Sequence, residues 1–308
     1  MIVQATAPER ELPALSHLQG SLIILATGVG FSFGGLAFRS VEIGSWEYLV
    51  FRGLGMGVVA AVVLAVRYRR RFSDLTSKVA PAHLLAGVVL GGMNILFIVS
   101  LTFTTVAFVL LLQTLAPVAA AYFSWLILRE RPSMAVGIAT SVALLGVLVM
   151  VGGTIANDLS LLGLLAVVIP VGFGLYSTLI RSAKRIDVMV PLVVAGAALI
   201  LLGAAVVLAQ GGFTASLRDA AIGIFAGSVL LAAPLAAFNV AQRVVPAPEA
   251  ALLIMSEVVL APIWVWLFVG EEANRSTLLG GAIIFAAMAW LTLKRKPKRG
   301  RRPITTRG

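Results

Sequence analysis

The stretch GVGFSFGGLAFRS, Gly28 to Ser40, returns 142 residues later as PVGFGLYSTLIRS, Pro170 to Ser182, with Val-Gly-Phe and the closing Arg-Ser at matching places and no gap between them. A second phrase repeats at nearly the same offset: PVAAAYFSWLILRE, Pro117 to Glu130, returns as VVLAPIWVWLFVGE, Val258 to Glu271. Gly137 and Gly280 then mark corresponding helix starts. Two matches at nearly one spacing make the chain an internal duplication, and the number of helices in each copy decides how the copies are related.

The solvent follows from composition. Of 308 residues, 60% are apolar and 12% charged, against roughly a quarter charged in an average soluble domain, and the mean hydropathy is +1.03. Most of the chain therefore belongs in lipid. Without cysteine, disulfides and thiolate metal sites are excluded. A window of about 20 residues, the length that crosses a bilayer core, finds ten apolar segments. They lie near 19–38, 48–66, 82–103, 106–128, 134–152, 160–180, 188–209, 220–242, 249–269 and 277–293. The expected fold is an all-α integral membrane protein with ten transmembrane helices. The first repeat is residues 1–153, the second 154–293, and 294–308 form a basic tail. Five helices is an odd number, so the second copy enters the membrane inverted, the arrangement found in many secondary transporters.

The net charge of +11 would suggest nucleic acid in a soluble protein, but here its placement decides otherwise. With the N-terminus inside, 20 of the 24 Lys and Arg residues fall in inner segments; only Arg39, Arg52, Arg218 and Arg275 lie at or near the outer side. The positive-inside bias predicts cytoplasmic termini, a multi-pass protein of the inner membrane, and an outer loop at Asn157-Asp158. The expected partners are the lipid bilayer and a small-molecule substrate, with no nucleic acid and no cofactor. Oligomeric state stays open, a monomer being compatible with the sequence. The first 18 residues carry Glu9, Arg10, Glu11 and Pro13 and lack a signal-peptide core, so no cleavage is expected.

At these residues the chain resembles the EamA-type branch of the drug/metabolite transporter superfamily. The resemblance rests on two five-helix halves, Arg52 early in the second helix, LRERPS (Leu128–Ser133) closing one half and LLIMSEVVLAPIWVWLFVGEE (Leu252–Glu272) closing the other. It covers nearly the whole chain. A Glu-Pro pair is frequent in the ninth helix of the family, whereas here Val258 follows Glu257 and the nearest proline is Pro262. The resemblance implies export of small metabolites through a central cavity lined by helices 1, 3, 4, 6, 8 and 9, the aromatic amino acid exporters being the nearest analogy.

The residues themselves also point to a cavity. Pro117, Pro170, Pro234 and Pro262 lie near mid-membrane, where each deletes a backbone donor and predicts a helix kink. The same helices carry the polar residues Ser32, Asn94, Gln113, Tyr176, Asn239 and Glu257. Together with Phe31, Phe173 and Trp264 these form the expected substrate site: apolar walls for the body of an amphipathic solute and fixed polar groups for its ends. The competing reading of each is interhelical bonding, worth about 0.6 kcal/mol on average in membranes. Glu257 is the most informative, because a charge at the bilayer centre costs about 2.5 to 3.5 kcal/mol on insertion scales. An acid there is neutral, paired or facing water, which makes Glu257 a candidate proton carrier. Arg52, nearer the outer interface, reads as a snorkelling structural residue. The pairs Gly30/Gly34, Gly53/Gly57 and Gly223/Gly227 read as close helix packing.

An intramembrane enzyme is the rival class. Gly30–Gly34 matches the nucleophile-elbow pattern G-x-S-x-G, but within an apolar helix rather than at a strand-to-helix turn. Its nearest membrane histidine, His83, is about 20 Å away in depth at 1.5 Å per residue. Neither a Walker loop nor a mid-membrane Asp pair is present, so ATP hydrolysis is not encoded. Too few cations lie at mid-depth for a phosphate. The expected function is secondary export, by alternating access, of neutral or zwitterionic metabolites, amino acids first and hydrophobic cations second. A lipid flippase or a structural membrane protein remain the alternatives.

Overall fold

The computed structural model describes residues 15–68, 80–103, 106–151, 163–182, 187–269 and 275–294. The expected outer loop at Asn157-Asp158, the cluster Arg69–Arg71, and the tail beyond Lys294 lie outside the described residues. Within them the chain is helical, without strands, and forms ten helical units. These are α1 (His17–Arg39), α2 (Ser45–Arg67), α3 (Pro81–Ser100), α4 (Val106–Gln113, then Ala116–Leu128) and α5 (Met134–Val151). The second set is α6 (Leu165–Ser182), α7 (Val190–Ala209), α8 (Leu217–Ala241), α9 (Ala247–Leu253, then Ser256–Val269) and α10 (Arg275–Lys294). Six of them, α1, α2, α3, α6, α7 and α8, are by length and composition able to cross a membrane. The perimeter suits lipid: Leu201, Leu208, Val66, Val88 and Leu145 are large apolar residues exposed on helix exteriors.

The helix starts follow ordinary capping chemistry. Ser16 opens α1 with a capping box, its hydroxyl accepting from Gln19 N–H at 3.2 Å while the Gln19 side chain accepts from Ser16 N–H at 2.9 Å. Ser216 caps α8 by accepting from Asp219 N–H at 3.1 Å. Glu47 in the first turn of α2 accepts from Thr214 and Ala215 N–H at 2.7 and 2.6 Å, tying the α7–α8 connection to α2.

The prolines sit where helices resume rather than where they run straight. Pro117 and Pro234 occupy the first turn of Ala116–Phe123 and Ala233–Ala241, after the interruption at Thr114-Leu115 and the π-helical stretch Ala226–Ala232. A first-turn N–H has no partner within its helix, so proline loses nothing there. Pro170 follows the 3₁₀ turn Gly163–Val167. In α9 the interruption falls at Ile254-Met255, and the helix continues through Pro262. A further irregularity, at Phe33 in α1, involves no proline.

The packing is symmetric in its pairings. The helices α2 with α7 and α5 with α10 pair across the two halves; α3 against α7 has its counterpart in α8 against α2, and α3 against α6 in α8 against α1. Glycines set the closest crossings and reveal helix directions. A side chain at Gly53 would meet Gly196 and Leu199, and one at Gly203 would meet Trp46 and Val50, so α2 and α7 run antiparallel. The α1–α8 pair is antiparallel too, Gly20 facing Val244 and Gly30 facing Pro234. On α6 and α8, Tyr176 bonds Asn239 and Ser177 bonds Gln242, so these two are parallel. Hence α1 and α6, the carriers of the repeated phrase, run in opposite senses. The duplication is inverted.

Candidate functional site

Directions along the bundle bring one set of helix ends together. His17 contacts Glu249 at 3.0 Å, Arg67 contacts Asp187 at 2.6 Å, and Arg181 contacts Glu130 at 3.2 Å. Arg243 shares a cavity with Arg181, so this end is basic. The opposite end carries Arg39 and Arg218.

Between the ends lies a central cavity lined by residues of α1, α2, α3, α4, α6, α8 and α9. Of the nine residues expected at the site, Phe31, Asn94, Gln113, Phe173 and Glu257 line it together. Leu90, Met93, Phe97, Ile169, Leu230, Leu235 and Ile254 make the remainder apolar. Asn94 is buried and donates to the Leu90 carbonyl of its own helix at 3.0 Å. Glu257 is 8% exposed, in the first turn of the second segment of α9. There α9 packs directly on the α1 backbone: a side chain at Gly28 would strike Ser256 and approach the Ile254 carbonyl to 3.0 Å. Ser256 donates to the Leu25 carbonyl at 3.2 Å.

The cavity also contains a residue that the sequence placed elsewhere. Arg52 is 6% exposed and lines the same space as Glu257 instead of snorkelling outward. Its Nε and Nη1 make no well-formed hydrogen bond within the protein, and the buried Tyr48 hydroxyl lies beside its guanidinium. The α2 backbone at this point is fixed by α8, because a side chain at Gly227 would overlap the Arg52 carbonyl and one at Gly55 the Ile224 carbonyl. The signal was present in Gly55 and Gly227, glycines that permit this approach.

The other expected residues flank the cavity. Toward the opposite end, Trp264 stacks on Phe33 with ring centroids 4.6 Å apart and donates its indole N–H to Ser32 Oγ at 2.7 Å. Toward the basic end, the Tyr176 hydroxyl donates to Asn239 Oδ1 at 2.8 Å and Asn239 Nδ2 donates to the Val188 carbonyl at 3.3 Å. Phe173 and Phe238 meet there at 5.5 Å, and Gln242 donates to Ser177 at 2.5 Å. This layer separates the central cavity from a wider vestibule at the basic end. Asn239 lines that vestibule with His83, Glu130, Arg181 and Arg243. Pro117 and Pro170 are buried, and Pro234 packs against Gly30 of α1.

Residues 18–152 and 160–293 each match the EamA-like transporter family. The chain belongs to that family. This EamA-like protein is thus a multi-pass membrane protein of the drug/metabolite transporter superfamily, built from two family repeats. A solved structure described only as "Crystal structure of protein" is 18% identical, with a TM-score of 0.73, covering 90% of this chain and 98% of that one. At that identity the likeness concerns the fold. No curated protein matches the sequence.

Proposed function

We propose that this EamA-like protein is a ten-pass secondary transporter that exports small neutral or zwitterionic metabolites, amino acids and related amphipathic solutes first, by alternating access. Both termini then face the cytoplasm, and the basic end with its vestibule is the inner side. The observation that carries this reading is the inner layer of Tyr176, Asn239 and Phe238 between two cavities. A space lined by apolar walls and four polar side chains stands on one side of a thin, breakable barrier, and a wider vestibule stands on the other. Parting α6 from α8 joins the two. The inverted repeat offers the counterpart at the opposite end: the α6–α8 pair corresponds to α1–α3, and the α1–α9 contact, where Trp264 meets Ser32 and Phe33, corresponds to α6–α4.

The test is solute counterflow in proteoliposomes with a panel of neutral, zwitterionic, cationic and phosphorylated solutes. Accelerated exchange of a neutral or zwitterionic member is expected. Preference for a phosphorylated member contradicts the substrate class, and translocation of labelled lipid without solute exchange replaces the transporter reading with a flippase. Orientation is checked in whole cells: an impermeant thiol label should reach a cysteine at position 158 and fail at position 70.

A further inference from the structure

A buried guanidinium and a buried carboxyl face one cavity without joining. Arg52 on α2 and Glu257 on α9 both line the central space, Arg52 acts on Glu257 through space, and no ion pair forms between them. Elsewhere among the described residues, oppositely charged groups of this chain do close on each other, as Arg67 with Asp187 and Arg181 with Glu130 show. A charge withdrawn from water costs several kcal/mol unless it is paired and hydrogen-bonded. The unpartnered Nε and Nη1 of Arg52 lie on different edges of the planar guanidinium, and each shares its edge with Nη2, as Arg181 shows where its Nε and Nη2 donate to the two Glu130 oxygens. That geometry suits a carboxylate, which a guanidinium engages through two parallel bonds. Glu257, an acceptor when ionised, suits an ammonium.

We infer that Arg52 and Glu257 are the two ends of a zwitterion site: Arg52 donates to the carboxylate of an α-amino acid, Glu257 accepts from its ammonium, and the side chain lies among apolar walls. This rests on the transporter reading above and specifies its substrate. An α-amino acid carries both charges on one carbon, so it bridges groups that share a cavity without touching. Phe31, Phe97 and Phe173, with Leu235 and Ile254, surround the space with hydrocarbon, so the amino acids recognised are those with apolar side chains. Asn94 and Gln113 add neutral polar contacts. A lone carboxylate leaves Glu257 without its counter-charge, and a lone amine does the same to Arg52. A phosphate dianion meets one cation and one acid. The held geometry of α2 at Gly55 and Gly227 fixes the Arg52 end, and Glu257 follows the boundary between the two α9 segments at Ile254-Met255, which packs on α1 at Gly28.

The experiment is counterflow in proteoliposomes with L-leucine, L-valine and L-phenylalanine, each beside its decarboxylated amine and its deaminated acid. The parent protein should exchange at least one of the zwitterions at least tenfold faster than either of its one-charge analogues. Glu257→Gln should slow the zwitterion at least tenfold while the deaminated acid rises relative to it; Arg52→Gln should do the reverse, raising the amine relative to the zwitterion. A merely structural role for either residue slows all three analogues alike, and that result overturns the proposal. So does a Glu257→Gln protein that keeps the parental ranking and loses only its response to a pH gradient, which assigns Glu257 to proton transfer. Detergent-solubilised variants are checked for monodispersity; if Arg52→Gln does not fold, Arg52→Lys, which keeps the charge but not the fork, should still lower the zwitterion preference. Exchange of an uncharged or singly charged solute in preference to all three zwitterions refutes the pair and leaves the transporter standing. Absence of exchange for every solute tried refutes both.

Discussion

Arg39 and Arg181 hold the same place in the repeated phrase and have opposite fates. Arg181, at the basic end, donates to both Glu130 oxygens at 3.2 Å and to the Gln242 and Val245 carbonyls at 3.3 and 3.0 Å, joining α6, the end of α4 and the end of α8. Arg39, at the opposite end, is exposed. Duplication and inversion preserve backbone paths, but they deliver equivalent positions to different surroundings, and the two ends have acquired different chemistry. The basic end closes through a layered polar network above a charged anchor. The opposite end closes through an aromatic clasp, Trp264 on Phe33 with one bond to Ser32. Under the alternating-access reading proposed above, unequal closures mean unequal time in the two states, and the substitutions below separate the contributions.

The largest expected effect is that of Arg181→Ala. It deletes the anchor and leaves two carbonyls at the α8 terminus without a donor, a loss of about 2 to 3 kcal/mol, mostly from those carbonyls because Glu130 is half-exposed and its ion pair is screened. A lower thermal midpoint in detergent, with faster labelling of a cysteine placed at Ser177, checks it. Arg39→Ala should stay within about 0.5 kcal/mol of the parent, as exposed substitutions do. Equal losses at the two positions would dissolve the contrast between the ends.

Trp264→Ala comes next, at about 1 to 2 kcal/mol from the lost stack and the lost bond to Ser32. Its signature is faster labelling, from the outer side, of a cysteine at Phe31. Trp264→Phe keeps a ring against Phe33 and should recover roughly half of the change. Tyr176→Phe is the mildest, removing one hydroxyl from the inner layer at about 1 kcal/mol. It should raise labelling at Asn94 from the inner side while leaving outer labelling unchanged. If Tyr176→Phe and Trp264→Ala expose the same side, the two contacts belong to one closure and the distinction fails.

How far the sequence revealed this arrangement depended on what each feature needed. The ten apolar segments, the duplication and its inversion were legible because they rest on hydropathy, spacing and parity, which are properties of the chain alone. Phe31, Asn94, Gln113, Phe173 and Glu257 were grouped correctly in space because helical periodicity and mid-membrane depth constrain them together. Arg52 was misplaced through a boundary: with the second segment begun at residue 48 it stands one turn from the interface. The helix in fact begins at Ser45, with Glu47 held by Thr214 and Ala215, which sets Arg52 about 10 Å deep at 1.5 Å per residue. The α9 interruption at Ile254-Met255 was not legible at all. No proline or glycine marks it; it is shaped by contact with α1 at Gly28, 226 residues earlier in the chain. Tyr176, Asn239, Ser32 and Trp264 carried the right polarity, yet only tertiary packing turned them toward each other rather than into the cavity.

The account stands most directly on the inner layer being a barrier that must open. The natural chain contains no cysteine, so a single pair can be installed on a clean background. Ser177→Cys with Gln242→Cys replaces two side chains that already touch across α6 and α8, and a short bifunctional thiosulfonate reagent can join them reversibly. Linked protein in proteoliposomes should lose at least nine-tenths of its solute counterflow and regain it on reduction, while each single-cysteine protein treated in the same way exchanges normally. Linked protein that exchanges solute at the parental rate would contradict the account.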